Sequence, residues 1–130
     1  MNFFAKPFAA KQTLGSRGED YGADFLKQKG YEILEKNYRC KIGELDLIAF
    51  KKDRIIFFEV RTRKEGGHFG SAEESIRADK QRKLTQLANW YLKSKNLTDI
   101  RASFGVLAVT AKTDGSYDSR LFDNAFDAHE

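Results

Sequence analysis

The stretch GELDLIAFKKDRIIFFEVRTRK, residues 43–64, decides the fold because apolar side chains recur on both sides of a short polar turn. This pattern predicts a hairpin of two strands, residues 41–51 and 54–63, joined at Lys52 and Asp53. Side chains alternate between the two faces of a strand. The first strand is therefore expected to place three side chains on one face: Leu45, Leu47 and Ala49.

Two acids lie in these strands where a sheet would otherwise bury apolar side chains. With a two- or four-residue turn, Asp46 falls opposite Glu59 and Glu44 falls opposite Arg61, whereas an odd-length turn would separate the two acids. Like charges that face each other across a sheet are destabilising, and Mg²⁺ or Mn²⁺ would offset their repulsion. The alternative is a pair of edge-strand acids bound to nearby cations: Arg61, Arg63 or Lys41.

The rest of the chain predicts an α/β domain with a mixed β-sheet flanked by helices. Helical periodicity covers residues 13–29 and about 71–95, the second with an optional break near Ala78. Strands are expected at 31–38 and 101–109, and the segment RLFDNAF is a final short strand or a helix end. Residues 13–130 then form a single domain behind an N-terminal tail, residues 1–12.

Composition sets limits on the class of protein. The chain has 130 residues and a net charge of +4, which suits one soluble domain and mildly favours a polyanionic partner such as a nucleic acid. Its single cysteine, Cys40, cannot form an internal disulfide, so a cytoplasmic location is expected. No apolar run is long enough to span a membrane, so no membrane partner is expected.

A third acid, Glu19, has two interpretations. Ser16 and Glu19 fit the S-x-x-E capping box at the start of a helix. If the helix begins earlier, at Gln12 or Thr13, Glu19 lies on a stripe of small residues and can point towards the sheet.

A run of basic residues surrounds the predicted start of the second helix. Cations at a helix N-terminus oppose the helix dipole and suggest a nearby anion. A capping box from Ser71 to Glu74 would instead start the helix earlier and leave the cations on a solvated face. Lys80 extends the apolar stripe of the helix and is expected to point towards the sheet. The candidate nucleic-acid-binding residues are Arg63, Lys64, Arg77, Lys80, Arg82 and Lys83.

Several segments together resemble the YraN-like family of bacterial proteins: GSRGEDYGADFLKQKGYEILEKNYR, GELDLIAF, FFEVRTR, FGSAEESIRADKQRKLTQLANWYL and DNAF. That family is placed in the PD-(D/E)XK nuclease superfamily, near archaeal Holliday-junction resolvases. The resemblance implies a restriction-endonuclease-like core and a Mg²⁺ or Mn²⁺ site. It implies Asp46, Glu59, the Val60 carbonyl and Glu19 as metal ligands. The implied catalytic residues are Glu19, Asp46, Glu59 and Arg61.

The resemblance also contains a departure, because Arg61 stands where the superfamily motif has lysine. Arginine remains protonated and cannot accept a proton from water, although it can clamp a phosphate. The leading hypothesis is a metal-dependent endonuclease for DNA, with branched or damaged DNA among the candidate substrates. The alternatives are a nucleic-acid-binding module without efficient catalysis and a structural interaction protein. A homodimer is one option for an enzyme that cuts junctions, since such an enzyme needs two symmetric sites.

Overall fold

The computed structural model of the protein describes residues 13–66 and 76–128. They form two helices and five strands: α1 (Leu14–Gln28), β1 (Glu32–Cys40), β2 (Gly43–Lys51), β3 (Arg54–Lys64), α2 (Ala78–Ser94), β4 (Arg101–Ala111) and β5 (Tyr117–Phe126). This is the predicted element order. The N-terminal tail and the capping box expected from Ser71 to Glu74 lie outside the described residues. Of the two described helices, neither combines the length and the apolar character that a bilayer crossing requires.

The five strands form one sheet in the order β1-β2-β3-β4-β5. β3 and β4 are parallel, and the other neighbouring strands are antiparallel. A parallel pair needs a crossover connection, and α2 lies within the segment that supplies it. The predicted α/β fold with a mixed sheet is confirmed, and it is consistent with a restriction-endonuclease-like core. The last element is a strand of 10 residues, longer than the short strand or helix end that was expected.

The helices cover opposite faces of the sheet, so the domain has three layers. On one face, α2 buries the predicted stripe of Leu84, Leu87, Ala88 and Tyr91 against the sheet. On the other face, α1 buries Ala23 and Leu26 against apolar residues of β2, β3 and β4. We refer to these two layers as the α2 layer and the α1 layer.

Helix α1 lies unusually close to the sheet because its buried side carries glycine. A Cβ atom built on Gly18 would overlap Thr62 of β3, and one on Gly22 would lie 2.6 Å from Leu107 Cδ2 of β4. The helix begins after Thr13, whose Oγ1 accepts a hydrogen bond from the Ser16 amide at 3.0 Å. This N-cap leaves the chain from Gly18 onwards inside the helix and fixes which side of α1 meets the sheet.

The hairpin has the predicted turn, but β2 departs from simple alternation. Lys51 pairs with Arg54, and the regular pairing of β2 with β3 ends at Leu47 and Phe58. Leu45 packs in the α2 layer, whereas Leu47 packs in the α1 layer. The prediction that Leu45, Leu47 and Ala49 share a face is therefore wrong for Leu45. The side chains of β2 therefore change faces between Leu45 and Leu47, where the regular pairing with β3 has ended, although the pairing of β1 with β2 keeps one register from Glu35 to Cys40.

Candidate active site

Glu59 is a nearly buried carboxylate held by two cations. It continues the Ile55 and Phe57 face of β3 towards the α2 layer and retains only 8% of its exposure. Lys80 Nζ, from the first turn of α2, lies 2.7 Å from Glu59 Oε1. Arg61 Nε lies 3.0 Å from Glu59 Oε2. Each carboxylate oxygen thus has a cationic donor, which compensates for the cost of burying the charge.

Asp46 lies just beyond the end of the regular β2–β3 pairing. It does not form the expected ladder pair with Glu59, because the ladder stops one residue earlier. Its Oδ2 instead accepts a hydrogen bond from the Val60 amide at 2.8 Å. Burial raises the pKa of Asp46, the Val60 hydrogen bond opposes that shift, and the negative charge of Glu59 adds to it. The two acids therefore interact electrostatically without being direct partners.

Glu19 points towards the sheet from the interior of α1. The alternative interpretation, a capping box at Ser16, is wrong because Thr13 is the N-cap. Burial, followed by the negative charges of Asp46 and Glu44, raises the pKa of Glu19 to about 7. A carboxyl group with such a pKa is one whose charged form lacks sufficient compensation. The helix acid and the strand acids therefore form one electrostatic cluster.

Two further residues complete this cluster, and sequence reasoning did not single out their roles. With its amide nitrogen facing the acids, Asn37 donates to Glu19 Oε1 at 2.7 Å and to Glu44 Oε1 at 3.2 Å. Asn37 has a φ of 53°, a left-handed conformation that asparagine adopts more readily than most residues. Its neighbours Lys36 and Tyr38 pair with residues on either side of Asp46, so Asn37 of β1 lies opposite that acid of β2.

Glu44 does not face Arg61 as the hairpin geometry suggested. It pairs with Arg39 of β1, and the Arg39 Nε to Glu44 Oε2 distance is 3.4 Å. The sequence did indicate that Glu44 and Asp46 are close together, because they lie two residues apart in the same strand. What the sequence could not show is that an asparagine of the preceding strand links this acid to the helix.

The remaining basic candidates make other contacts or are exposed. Arg63 Nε donates to Thr110 Oγ1 of β4 at 3.3 Å. Arg77 is the N-cap residue of α2 and its Nε lies 3.4 Å from Asp79 Oδ1. Three more are exposed on the surface: Lys64, Arg82 and Lys83. α2 begins at Ala78, so Lys80 lies in the first turn, and the earlier part of the predicted helical region lies outside the described residues.

The donors at this end of the sheet are hard oxygen atoms, which suit Mg²⁺ or Mn²⁺ better than softer metals. Within residues 13–66 and 76–128, no group of three His, Cys, Asp or Glu side chains forms a ready-made metal cage. Mg²⁺ needs no such cage, because it is commonly held by one or two carboxylates together with water and substrate phosphate. The uncompensated charge shown by the raised pKa values of Glu19 and Asp46 is what a divalent cation would relieve. The donor set therefore fits a hard divalent cation.

Comparison with known proteins places the chain in a family. The model of "Uncharacterised protein family UPF0102" matches residues 18–109. A UPF0102 protein of Caldanaerobacter subterraneus subsp. tengcongensis is 44% identical over 99 residues, covering 76% of this chain and 80% of the relative. One of Desulfosudis oleivorans is 43% identical over 119 residues, covering 92% and 94%. One of Clostridium perfringens is 40% identical over 116 residues, covering 88% and 94%. The chain therefore belongs to family UPF0102, the YraN family.

Proposed function

We propose that this protein is a Mg²⁺- or Mn²⁺-dependent endonuclease that hydrolyses phosphodiester bonds of DNA. The observation that carries the proposal is that Asp46 interacts electrostatically with Glu19 of α1 and with Glu59 of β3. Lys80 of α2 pairs with Glu59. Acids that repel one another next to exposed cations suit a site that binds a metal ion and a phosphate together.

Asp46 and Glu59 would hold the metal ion, with the Val60 carbonyl as a third ligand and Glu19 facing it from the helix. When bound, such an ion supplies charge neutralisation at the phosphate and acidifies the attacking water. The Val60 amide fixes Asp46 Oδ2 at 2.8 Å, which orients the other carboxylate oxygen before any ligand arrives. Preorganisation of this kind reduces the reorganisation needed during the reaction.

The reaction would be an ordinary hydrolysis. The oxygen of a water molecule bonds to phosphorus, the bond from phosphorus to the leaving ester oxygen breaks, and a proton from water ends on that oxygen. Negative charge accumulates on the phosphate oxygens along the way, and cations near the phosphate stabilise it. Arg61 and Lys80 are the cations that contact the candidate ligand Glu59.

Binding to DNA would use the cations around the start of α2 and the end of β3. Arg77 and Lys80 lie at the start of the helix, Arg82 and Lys83 follow on it, and Arg63 and Lys64 end the hairpin. Contacts from lysine and arginine to phosphate give affinity that falls with salt and carries no sequence information. We therefore expect salt-sensitive binding without strong base preference.

A second candidate function is a DNA-binding module that cleaves poorly or not at all. The observation that favours it is the occupation of both Glu59 oxygens by cations, at 2.7 and 3.0 Å. Those cations compete with a metal ion for the same carboxylate. Binding of DNA to the same extent with and without metal, and no cleavage, would support this alternative.

Cleavage of labelled DNA tests both candidates. Four-way junction, flap, single-stranded and plain duplex substrates are incubated with Mg²⁺, with Mn²⁺ and with EDTA. The protein is compared with its Asp46→Asn and Glu59→Gln variants, and Asp118→Asn, an exposed acid of β5, is the matched control. The proposal expects metal-dependent cutting that both site variants lose and the control keeps. Cutting that survives Asp46→Asn, or that persists in EDTA, contradicts it.

A further inference from the structure

Lys80 connects the buried part of the candidate site to its surface. Its Nζ atom lies 2.7 Å from Glu59 Oε1, yet 56% of the Lys80 side chain is exposed, against 9% for Glu59. Lys80 therefore combines a direct contact with a buried carboxylate and a side chain that is more than half exposed to solvent.

The stability of α2 does not explain why a lysine occupies this position. The helix begins at Ala78 after Arg77, which makes no side-chain capping hydrogen bond. Lys80 lies in the first turn, where a positive charge opposes the helix dipole. Positions that break a local rule of this kind are expected at functional sites. The contact with Glu59 is what holds the charge there.

The two cations on Glu59 differ in what they can offer a substrate. Arg61 lies on the same strand and face as Glu59 and binds it through Nε, with 30% of its side chain exposed. Its planar guanidinium is fixed in orientation once that contact is made. Lys80 comes from a separate element, and an ammonium group has three donors. One donor satisfies Glu59, so the ammonium group has two further N–H donors on a side chain that is 56% exposed.

We propose that Lys80 is a catalytic residue whose ammonium group contacts a non-bridging oxygen of the scissile phosphate, while Arg61 orients Glu59. This inference rests on the proposed endonuclease function. It assigns to a lysine of α2 the contact with phosphate, since arginine, Arg61, occupies the motif position on β3. No proton needs to leave Lys80, because the group acts through its charge as negative charge accumulates on the phosphate.

The test compares single-turnover cleavage, DNA affinity and metal affinity of the full chain with Lys80→Met, Lys80→Arg and Lys93→Met. Lys93 is the matched control, an exposed lysine in the last turn of the same helix. Loss of one electrostatic contact to the transition state is expected to lower the cleavage rate of Lys80→Met by about 100-fold. Lys80→Arg should recover part of this loss, and Lys93→Met should leave the cleavage rate unchanged.

Calorimetric titration with Mn²⁺ separates a catalytic role from a structural one. Removal of a cation from Glu59 should leave metal affinity unchanged or raise it, so the rate falls while metal binding does not. A fall in both would show that Lys80 only maintains the fold of the site, and a Lys80→Met rate within threefold of the parent would overturn the proposal outright. If Lys80→Met loses its native circular dichroism, Lys80→Gln, which keeps a donor for Glu59, decides the matter. A parent protein that cuts no substrate with metal refutes the endonuclease function itself.

Discussion

Replacement of Gly18 by alanine should destabilise the protein although alanine is the better helix former. A Cβ atom at Gly18 would lie 2.7 Å from Thr62 Cγ2 and 2.9 Å from Thr62 Cβ, and closer still to Oγ1. Carbon atoms at rest lie about 3.5–4.0 Å apart. Rotation of Thr62 about χ1 cannot relieve the contact with its own Cβ, so α1 or β3 must move by roughly 1 Å, the shortfall against that contact distance.

The expected magnitude combines two opposing effects. Overpacking costs about 1–3 kcal/mol, and the change from glycine to alanine inside a helix returns about 1 kcal/mol. Gly18→Ala should therefore lower the free energy of unfolding by about 1 kcal/mol, within a range of roughly 0–2 kcal/mol. Because α1 carries Glu19, the same displacement should also weaken any activity that depends on Glu19 and Asp46.

Urea denaturation at neutral pH measures this effect, and Gly15→Ala is its control in the same helix. Among the residues that the structure describes, a Cβ atom at Gly15 meets only Thr13 Oγ1, at 3.9 Å, so that variant should be neutral or more stable. Adding Thr62→Ala to Gly18→Ala removes Oγ1 and Cγ2 and should restore part of the loss, which a double-mutant cycle reports. If Gly18→Ala proves as stable as Gly15→Ala, the close approach of α1 to β3 does not exist as described.

Three other perturbations test a close contact, a buried tyrosine and the metal site. Gly105→Ala should destabilise the protein by about 1–3 kcal/mol in urea denaturation, because its Cβ would lie 2.6 Å from Phe58 Cε1. Unchanged stability would contradict the close contact of β4 with Phe58 of β3. Burial, assisted by the hydrogen bond to Asp123, raises the pKa of Tyr31 from 10.0 to about 12. The folded state favours the protonated tyrosine, so the contribution of Tyr31 to the free energy of unfolding is fully present below pH 10 and is lost as the pH rises through about 12. Tyr31→Phe should therefore show a shallower pH dependence of unfolding over that window, and an equal slope would refute the assignment. Mg²⁺ at ten times its dissociation constant should stabilise the protein by about 1.4 kcal/mol, measured as a thermal shift that Asp46→Asn abolishes; an equal shift in that variant would place the ion elsewhere.

The sequence was sufficient for the hairpin because one turn determines its register. Once Lys52 and Asp53 form a two-residue turn, every pair from Lys51 and Arg54 to Leu47 and Phe58 follows from counting. The predicted pair of Asp46 and Glu59 does not form, because the regular pairing ends one residue earlier. Leu45 and Leu47 pack in different layers, and that change of face depends on which layer accepts each side chain. Local sequence carries no information on that choice.

The candidate site was predictable in its strand acids and less so in its surroundings. Glu19 had two interpretations because both Thr13 and Ser16 are good N-caps, and packing of the helix against β3 decided between them. Asn37 had no signal in the sequence, because its role depends on a left-handed backbone and on the approach of α1. Long-range contacts of this kind arise only when the layers assemble.

Strand β2 has a consequence for folding cooperativity because it is buried on both faces. It supplies Leu45 and Ile48 to the α2 layer and Leu47 and Ala49 to the α1 layer, so neither layer can lose β2 without the other. The two layers should therefore unfold together in a single transition instead of melting one after the other. Asp46 lies between Leu45 and Leu47, the two side chains that pack in different layers. A shift of the backbone at this candidate metal ligand would therefore change the packing of both layers.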